Sequence, residues 1–334
     1  MFEKRLALSV PYDIPLAGPP ALAREMEALG YRDAWSLEVD GLDCFSPLTA
    51  LAQGTNLRLG TAIANVFTRG PATLAQSAAA VAEMAPGRFV LGIGAGSAPI
   101  VEGWNSGHFE RPATRVREMV TFLRAAFAGE RVVMQGRTLT VNGYRMTRPP
   151  SQPIPLHVAA LREGMLRLAG EVADGVILNW LSAEDVRTSV AVVREAAEHA
   201  GRDPSSIEIT ARLMVGIDPP GPEGDTNLRR YIASYLNVPT YRDFHRWLGR
   251  TSLQGMWDAW DAGDRRGALA ALSDEAVHEV MIAGSAAERR AHVNRFFEAG
   301  VDTAFLAFTS AEKDPARLNQ LVWTALREHA PKGT

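Results

Sequence analysis

The residues best placed to do chemistry lie between Gly87 and Met119, in the stretch GRFVLGIGAGSAPIVEGWNSGHFERPATRVREM. Gly92, Gly94 and Gly96 alternate along an apolar run that ends at Ser97. Glycines at a strand end can cradle a phosphate, free a nucleophile or admit a flat ring, and the spacing separates these cases. A dinucleotide loop requires G-x-G-x-x-G opening directly into a helix. Here Ala95 or Ser97 stands where the third glycine belongs, and Pro99 interrupts a helix start. A phosphate loop ending in Gly-Lys-Ser/Thr is absent, and so is the hydrolase elbow G-x-S-x-G around Ser97. What remains is a strand whose last turn carries no side-chain bulk. The three glycines share one strand face. A planar ligand could lie against that backbone, or the glycines could serve tight packing alone; spacing leaves both readings open.

Other candidates are scattered. In AWSLEV, alternation places Ala34, Ser36 and Glu38 on one face. A carboxylate there suits acid/base work, cofactor anchoring or an exposed strand cap. In Leu161-Arg162-Glu163-Gly164 a strand meets a helix whose free N–H groups would attract phosphate, with Arg162 adding charge. His157 lies inside a strand, where packing is its ordinary role. The seven histidines lack the paired spacing of zinc or iron sites, so no metal is expected.

These residues need elements to position them. Strands are expected near 5–10, 32–39, 57–66, 88–96, 154–160, 175–180, 208–217 and 303–309, with helical patterns between them. Strand–helix alternation implies a parallel sheet, and eight units imply a closed (β/α)8 barrel, a TIM barrel, with chemistry at the C-terminal ends of its strands. The whole chain, 1–334, reads as one such domain with two insertions. Residues 131–152 read as a β-hairpin turning at Asn142-Gly143. Residues 218–284 read as helices following strand seven and covering the mouth. Their tryptophans, Trp247, Trp257 and Trp260, suit either a bulky apolar pocket or helix core.

Composition narrows the class. Hydrophobic residues make up 46% and charged residues 22%, enough for a large core without disulfides. The net charge of −3 argues against a general nucleic-acid binder. No apolar run reaches the roughly 18 residues of a membrane span, and the N-terminal run is too short for a signal peptide. Cys44, the single cysteine, excludes an internal disulfide and fits a reducing, cytoplasmic setting.

GRFVLGIGAGSAPIVEGWNSGHFERPATRVREM, together with AWSLEVDGLDCFSPLTALA, RLGTAIANVFTRGPATLAQSAAAVAEM and PIPLHVAALREGMLRLAGEVADGVILNW, resembles the luciferase-like flavin and deazaflavin oxidoreductases, and most closely their coenzyme F420 branch. The resemblance implies a bacterial-luciferase-type barrel that transfers hydride between F420 and a small organic substrate, with Glu38 as the catalytic candidate. It implies a cis, non-prolyl Ala62-Ile63 peptide behind the ring. Ser36, Glu38, Asn65, Gly94, Ala95, Gly96 and Ser97 would flank that ring. Ala160, Leu161, Arg162, Glu163 and Gly164, or Asn179 and Trp180, would meet the cofactor phosphate. A basic entrance formed by His108, Arg111 and Arg115, with Arg69, would suit the polyglutamate tail of F420. The alternatives are an FMN-dependent monooxygenase fed by a partner reductase, and a non-catalytic flavin-binding barrel. A homodimer and a separate cofactor-reducing enzyme are the expected partners. The related sugar-phosphate dehydrogenases carry a catalytic histidine where Val39 stands and a glutamate where Ser97 stands, so that activity is not carried over.

Overall fold

The computed structural model describes residues 2–10, 19–219 and 221–331. Eight strands form the frame: β1 (Arg5–Ser9), β2 (Asp33–Ser36), β3 (Arg58–Thr61), β4 (Phe89–Gly94), β5 (Leu156–Ala159), β6 (Gly175–Asn179), β7 (Glu208–Gly216) and β8 (Thr303–Thr309). Each pairs in parallel with its sequence neighbours, β8 pairs with β1, and the barrel closes. The eight expected strands are therefore all present. Seven are shorter than the sequence suggested, β2 and β3 most of all. β2 stops at Ser36, and β3 stops at Thr61 before a bend containing the cis Ala62-Ile63 peptide. A short segment, Ala64–Asn65, then resumes pairing alongside β4.

Alternation sorts the side chains into an outer core under the helices and an inner stack filling the barrel. The inner stack holds Ala7, Trp35, Val90, Ile177 and Phe305. Trp35 and Phe305 stack with centroids 5.3 Å apart. A Cβ at Gly60 would lie 2.4 Å from Trp35, and one at Gly92 would lie 1.9 Å from the Thr61 carbonyl and 2.5 Å from Ile177. These two glycines thus make room for the protein's own atoms.

Below that layer the barrel base is ionic. Arg58 donates to both Glu208 oxygens at 2.8 and 2.6 Å and to Asp33 Oδ2 at 2.8 Å. Arg5 donates to Asp33 Oδ1 at 2.7 Å, and Thr303 donates to Glu208 at 2.6 Å. Burial alone would raise the Glu208 pKa, but Arg58, His157 and Thr303 hold it down at about 2. His157 is buried and lies 3.3 Å from the Thr210 hydroxyl, and desolvation pushes its pKa below the ordinary histidine value. It is a packed residue.

The hairpin is real, but its turn is not at Asn142-Gly143. Its strands run Val132–Gln135 and Thr140–Tyr144, so the chain reverses at residues 136–139. The Glu118 carboxylate fixes that turn by accepting N–H bonds from Arg137, Thr138 and Leu139. Gly143, at φ +83°, instead falls where the strand register shifts, a bulge that favours glycine.

Between β7 and the helix Ala286–Glu298 that leads to β8, the described residues form five helices: Pro222–Leu236, Pro239–Trp247, Gln254–Asp261, Arg265–Ala270 and Asp274–Val280. Ile232, Leu236, Met256 and Trp257 gather into a second core that reaches Trp180, Met214 of β7 and Ala307 of β8. The insertion therefore seals the β6–β8 side of the mouth and leaves the β2–β5 side open. Trp257 is buried and donates to the Leu236 carbonyl at 3.1 Å, Trp247 stacks on Phe244, and Arg265 lies 3.9 Å over Trp260. The tryptophans build the roof itself. No described helix is long and apolar enough to cross a membrane.

Breaking the base should be costly because a buried charge would lose its partner. Arg58→Met is expected to lower stability by about 3–5 kcal/mol in urea unfolding. Glu208 has a folded pKa below its ordinary 4.5, so its contribution is complete above that pH and is lost as pH falls toward about 2. Unfolding followed across this window should show the loss, and Glu208→Gln should flatten it. An unchanged acid limb in the variant would contradict the assignment.

Candidate functional site

The C-terminal mouth is built from short side chains. Ala62, Ile63 and Ala159 cap the inner stack and stay partly open. A Cβ at Gly94 would meet Ile63 at 3.0 Å and Ala159 at 3.2 Å. The face shared by Gly92 and Gly94 is thus filled by side chains, which corrects the expectation of bare backbone. A flat ligand can rest only above the Ile63–Ala159 layer. Gly96 is exposed at φ +67°, and a Cβ there would lie 2.2 Å from Asn65 Nδ2. Ala95 packs partly against the outer core, and the Ser97 carbonyl accepts the Val101 N–H as the π-helical turn Pro99–Trp104 begins.

Beside this floor opens a cavity of about 440 Å³ lined by Glu38, Leu42, Asn65, Arg69, Ile100 and Asn105, among others. Arg69 donates to both Glu38 oxygens and lies 4.9 Å over the Phe45 ring. Glu38 also accepts from the Cys44 N–H at 3.4 Å. It lines the mouth as a paired carboxylate, with Arg69 occupying both oxygens that acid/base work would use.

Ser36 does not belong to the mouth. It is buried, and its hydroxyl donates to the Cys44 and Gly60 carbonyls. The reason is register: Trp35 takes the inner face, so Ala34 and Ser36 point outward. Ala160 likewise lies in the outer core, with Leu161 packed against it. Their neighbour Ala159 is the residue that lines the floor. Alternation from the packed His157 would have found it.

The helix Glu163–Val172 begins with Arg162 in extended conformation and no side-chain cap. Arg162, Glu163 and Gly164 are exposed, and Arg162 reaches Asp243 of the insertion at 3.2 Å. An uncapped helix start at the barrel top suits a phosphate. The proposed basic entrance is mostly spoken for. Arg115 donates to the Val66 and Thr138 carbonyls, Arg111 pairs with Glu110 at 3.1 Å, and His108 stands between Glu102 and Glu110.

Asn179 and Trp180 end β6. Trp180, at φ +57°, is buried against Tyr231, Tyr235 and Tyr241 of the insertion. Asn179 Oδ1, Trp180 Nε1 and Arg212 Nε are buried without a hydrogen-bond partner. A small apolar floor edged by the unpartnered Asn179 Oδ1 fits a ring with flat faces and a polar edge. Arg212 and Tyr241 escaped sequence reasoning, although Glu208, Thr210 and Arg212 alternate polar groups onto one face of an otherwise apolar strand. Among the described residues, no His, Cys, Asp and Glu gather as a metal site.

The family model described as luciferase-like monooxygenase matches residues 5–303. The chain belongs to the luciferase-like monooxygenase family. That family is one of oxidoreductases. A 5,10-methylenetetrahydromethanopterin reductase of Methanolobus tindarius is 33% identical over 59% of this chain and 60% of its own length, so the chain spans about three fifths of that relative. Among solved structures, the coenzyme F420-dependent tetrahydromethanopterin reductase of Methanopyrus kandleri superposes with a TM-score of 0.79 at 21% identity, covering 98% of this chain and 100% of that one. An F420-dependent secondary alcohol dehydrogenase in complex with an F420-acetone adduct gives 0.77 at 20% identity, covering 98% of each chain. These likenesses establish the luciferase-like fold.

The roof of this luciferase-like barrel is clamped by Arg250, which is buried between Asp185 and Glu279 and donates to His245 Nδ1 at 3.0 Å. Burial and the adjacent Arg250 push the His245 pKa down to about 3. Arg250→Ala should loosen the roof ahead of the barrel. Hydrogen exchange in 222–280 is expected to accelerate about tenfold or more while β1–β5 keep their protection. Uniform acceleration through both regions would show that the clamp is not local.

Proposed function

We propose that this chain is a coenzyme F420-dependent oxidoreductase acting on a small organic substrate. One observation carries the reading: the mouth has a floor of short side chains, Ala62, Ile63 and Ala159 beside Gly94, with the unpartnered Asn179 Oδ1 two residues beyond Ile177 of the inner stack. Such a surface receives a flat tricycle on its apolar face and offers hydrogen bonds only to its edge. The preference for the deazaflavin over FMN draws on the F420-dependent enzymes among the structural neighbours.

In this reading Ala62, Ile63 and Ala159 support the underside of the ring, while Gly94, Ala95, Gly96 and Ser97 border it on the β4 side. Asn65 sits beneath Gly96 and is held in its own segment by accepting the Phe67 N–H at 2.8 Å. The uncapped N–H groups of Glu163 and Gly164, with Arg162, hold the phosphate. When bound, the cofactor exchanges a hydride with the substrate. The protein's part is to orient and to exclude water. The insertion closes one side of the mouth, and Glu38 keeps Arg69 fixed along the open side. Leu42 and Ile100 give that open side an apolar lining.

The test is a titration with F420 and with FMN, followed by fluorescence. F420 should bind the purified chain more tightly than FMN. Ala159→Leu, which raises the floor, should weaken F420 at least about tenfold while circular dichroism stays native. Tight FMN binding with no F420 binding would replace this reading with the flavin monooxygenase, and unchanged F420 binding in the variant would remove the floor from it.

A further inference from the structure

Arginine on the inner face of this barrel follows a rule with one exception. Arg5 and Arg58, at the base, are paired with Asp33 and Glu208. Arg212 stands higher on β7, on the same face as Glu208 and Thr210, and is partly buried. Among the described residues it has no ion pair and no side-chain hydrogen bond, and its Nε is buried without an acceptor. A guanidinium cannot shed its proton, so it stays charged there. Leaving such a cation unpaired is destabilising unless a bound anion completes it.

Its neighbours are arranged for recognition. Asn179 is its register partner on β6, and Asn179 Oδ1 is also unpartnered. The Asn179 amide and the charge of Arg212 both act on the Tyr241 phenol, each lowering its pKa against the effect of burial. Tyr241 comes from the insertion and packs 6.3 Å from Trp180 and 6.2 Å from Tyr235. Arg212 therefore faces groups supplied by the roof, across the barrel from the Ala62-Ile63 bend that would back a cofactor ring. This assigns the cation to the substrate side.

We propose that Arg212, Asn179 and Tyr241 form a seat for a carboxylate of the substrate. The Nε edge is the side of the guanidinium left without an acceptor, and that edge presents two parallel N–H groups to coplanar oxygens. The Tyr241 hydroxyl would donate to the same group, with the Asn179 amide orienting that hydroxyl and Asn179 Oδ1 left to the ring edge. The seat rests on the proposed function, since it names the class of substrate presented to the ring: a small organic carboxylate.

Benzoate is the probe and neutral benzamide its control, followed by tryptophan fluorescence, with Trp180 beside the seat, and by melting temperature. Benzoate should bind the native protein saturably and raise its melting temperature, whereas benzamide should do neither. Arg212→Met and Arg212→Gln should lose benzoate affinity by about thirtyfold or more. Arg212→Lys should recover part of it. Both neutral variants should melt at or above the native temperature without ligand, because each deletes an unpaired charge. Their affinities for oxidised and for reduced F420 should stay within about threefold of native. The seat is overturned if benzoate fails to bind the native protein, if it binds the neutral variants equally well, or if those variants selectively lose reduced F420, which would assign the cation to the ring. Native protein that binds benzoate through Arg212 but does not bind F420 would keep the seat and discard the deazaflavin.

Discussion

Trp35 fills the centre of the barrel, and only glycine at position 60 leaves it room. An eight-stranded parallel barrel has a fixed interior to fill, so bulk placed by one strand must be yielded by another. Trp35 and Phe305 take the middle layer, and Gly60 and Gly92 yield it. The layer above then closes with Ile63 and Ala159 rather than with large residues. A broad, shallow mouth is the geometric consequence of a heavy centre. The same bargain explains the glycine alternation in β4. Gly92 belongs to packing, Gly94 touches the floor from below, and Gly96 alone is exposed at the surface of the mouth.

Charge is divided along the same axis. At the base, two arginines and two carboxylates are desolvated together, and each finds a partner. Such a network specifies register as much as it stabilises, because Asp33, Arg58, Glu208 and Thr303 come from four different strands. At the top, polar atoms are left over: Asn179 Oδ1, Trp180 Nε1 and Arg212 Nε. A folded chain ordinarily satisfies its buried polar groups. These three atoms lie where β6 and β7 meet the insertion, and Arg212 is the one among them that brings a charge.

The frame was legible because periodicity reports burial, and the alternation of strands with helices admits few topologies. The site was less so. Ser36 and Glu38 looked like partners on one face, but β2 ends at Ser36, and from there the chain is free to bring Glu38 round to the mouth while Ser36 stays behind it. Ala160 lies in the outer core and its neighbour Ala159 on the inner stack, because one residue's step reverses the face of a side chain on a strand. Asn142-Gly143 carried the strongest local turn signal in its segment, yet Glu118, from a helix before it in sequence, set the turn elsewhere. Arg212 and Tyr241 lie 29 residues apart by their numbering and meet only because the insertion folds back over β7. No local pattern encodes that meeting.

That fold-back ties the mouth to the roof. Trp180 ends β6 with a positive φ, a conformation that costs an ordinary residue about 1–3 kcal/mol unless its surroundings enforce it. The enforcing groups are Tyr231, Tyr235 and Tyr241, all from the insertion. The insertion in turn is held to the barrel by Arg250 bridging Asp185, just beyond β6, to Glu279. The clamp, the strained tryptophan and the unpaired arginine therefore sit along one seam between barrel and roof. A change in the helices after β7 reaches the mouth through this seam without altering a barrel strand, so the roof can vary what is bound while the frame beneath it keeps the geometry for binding.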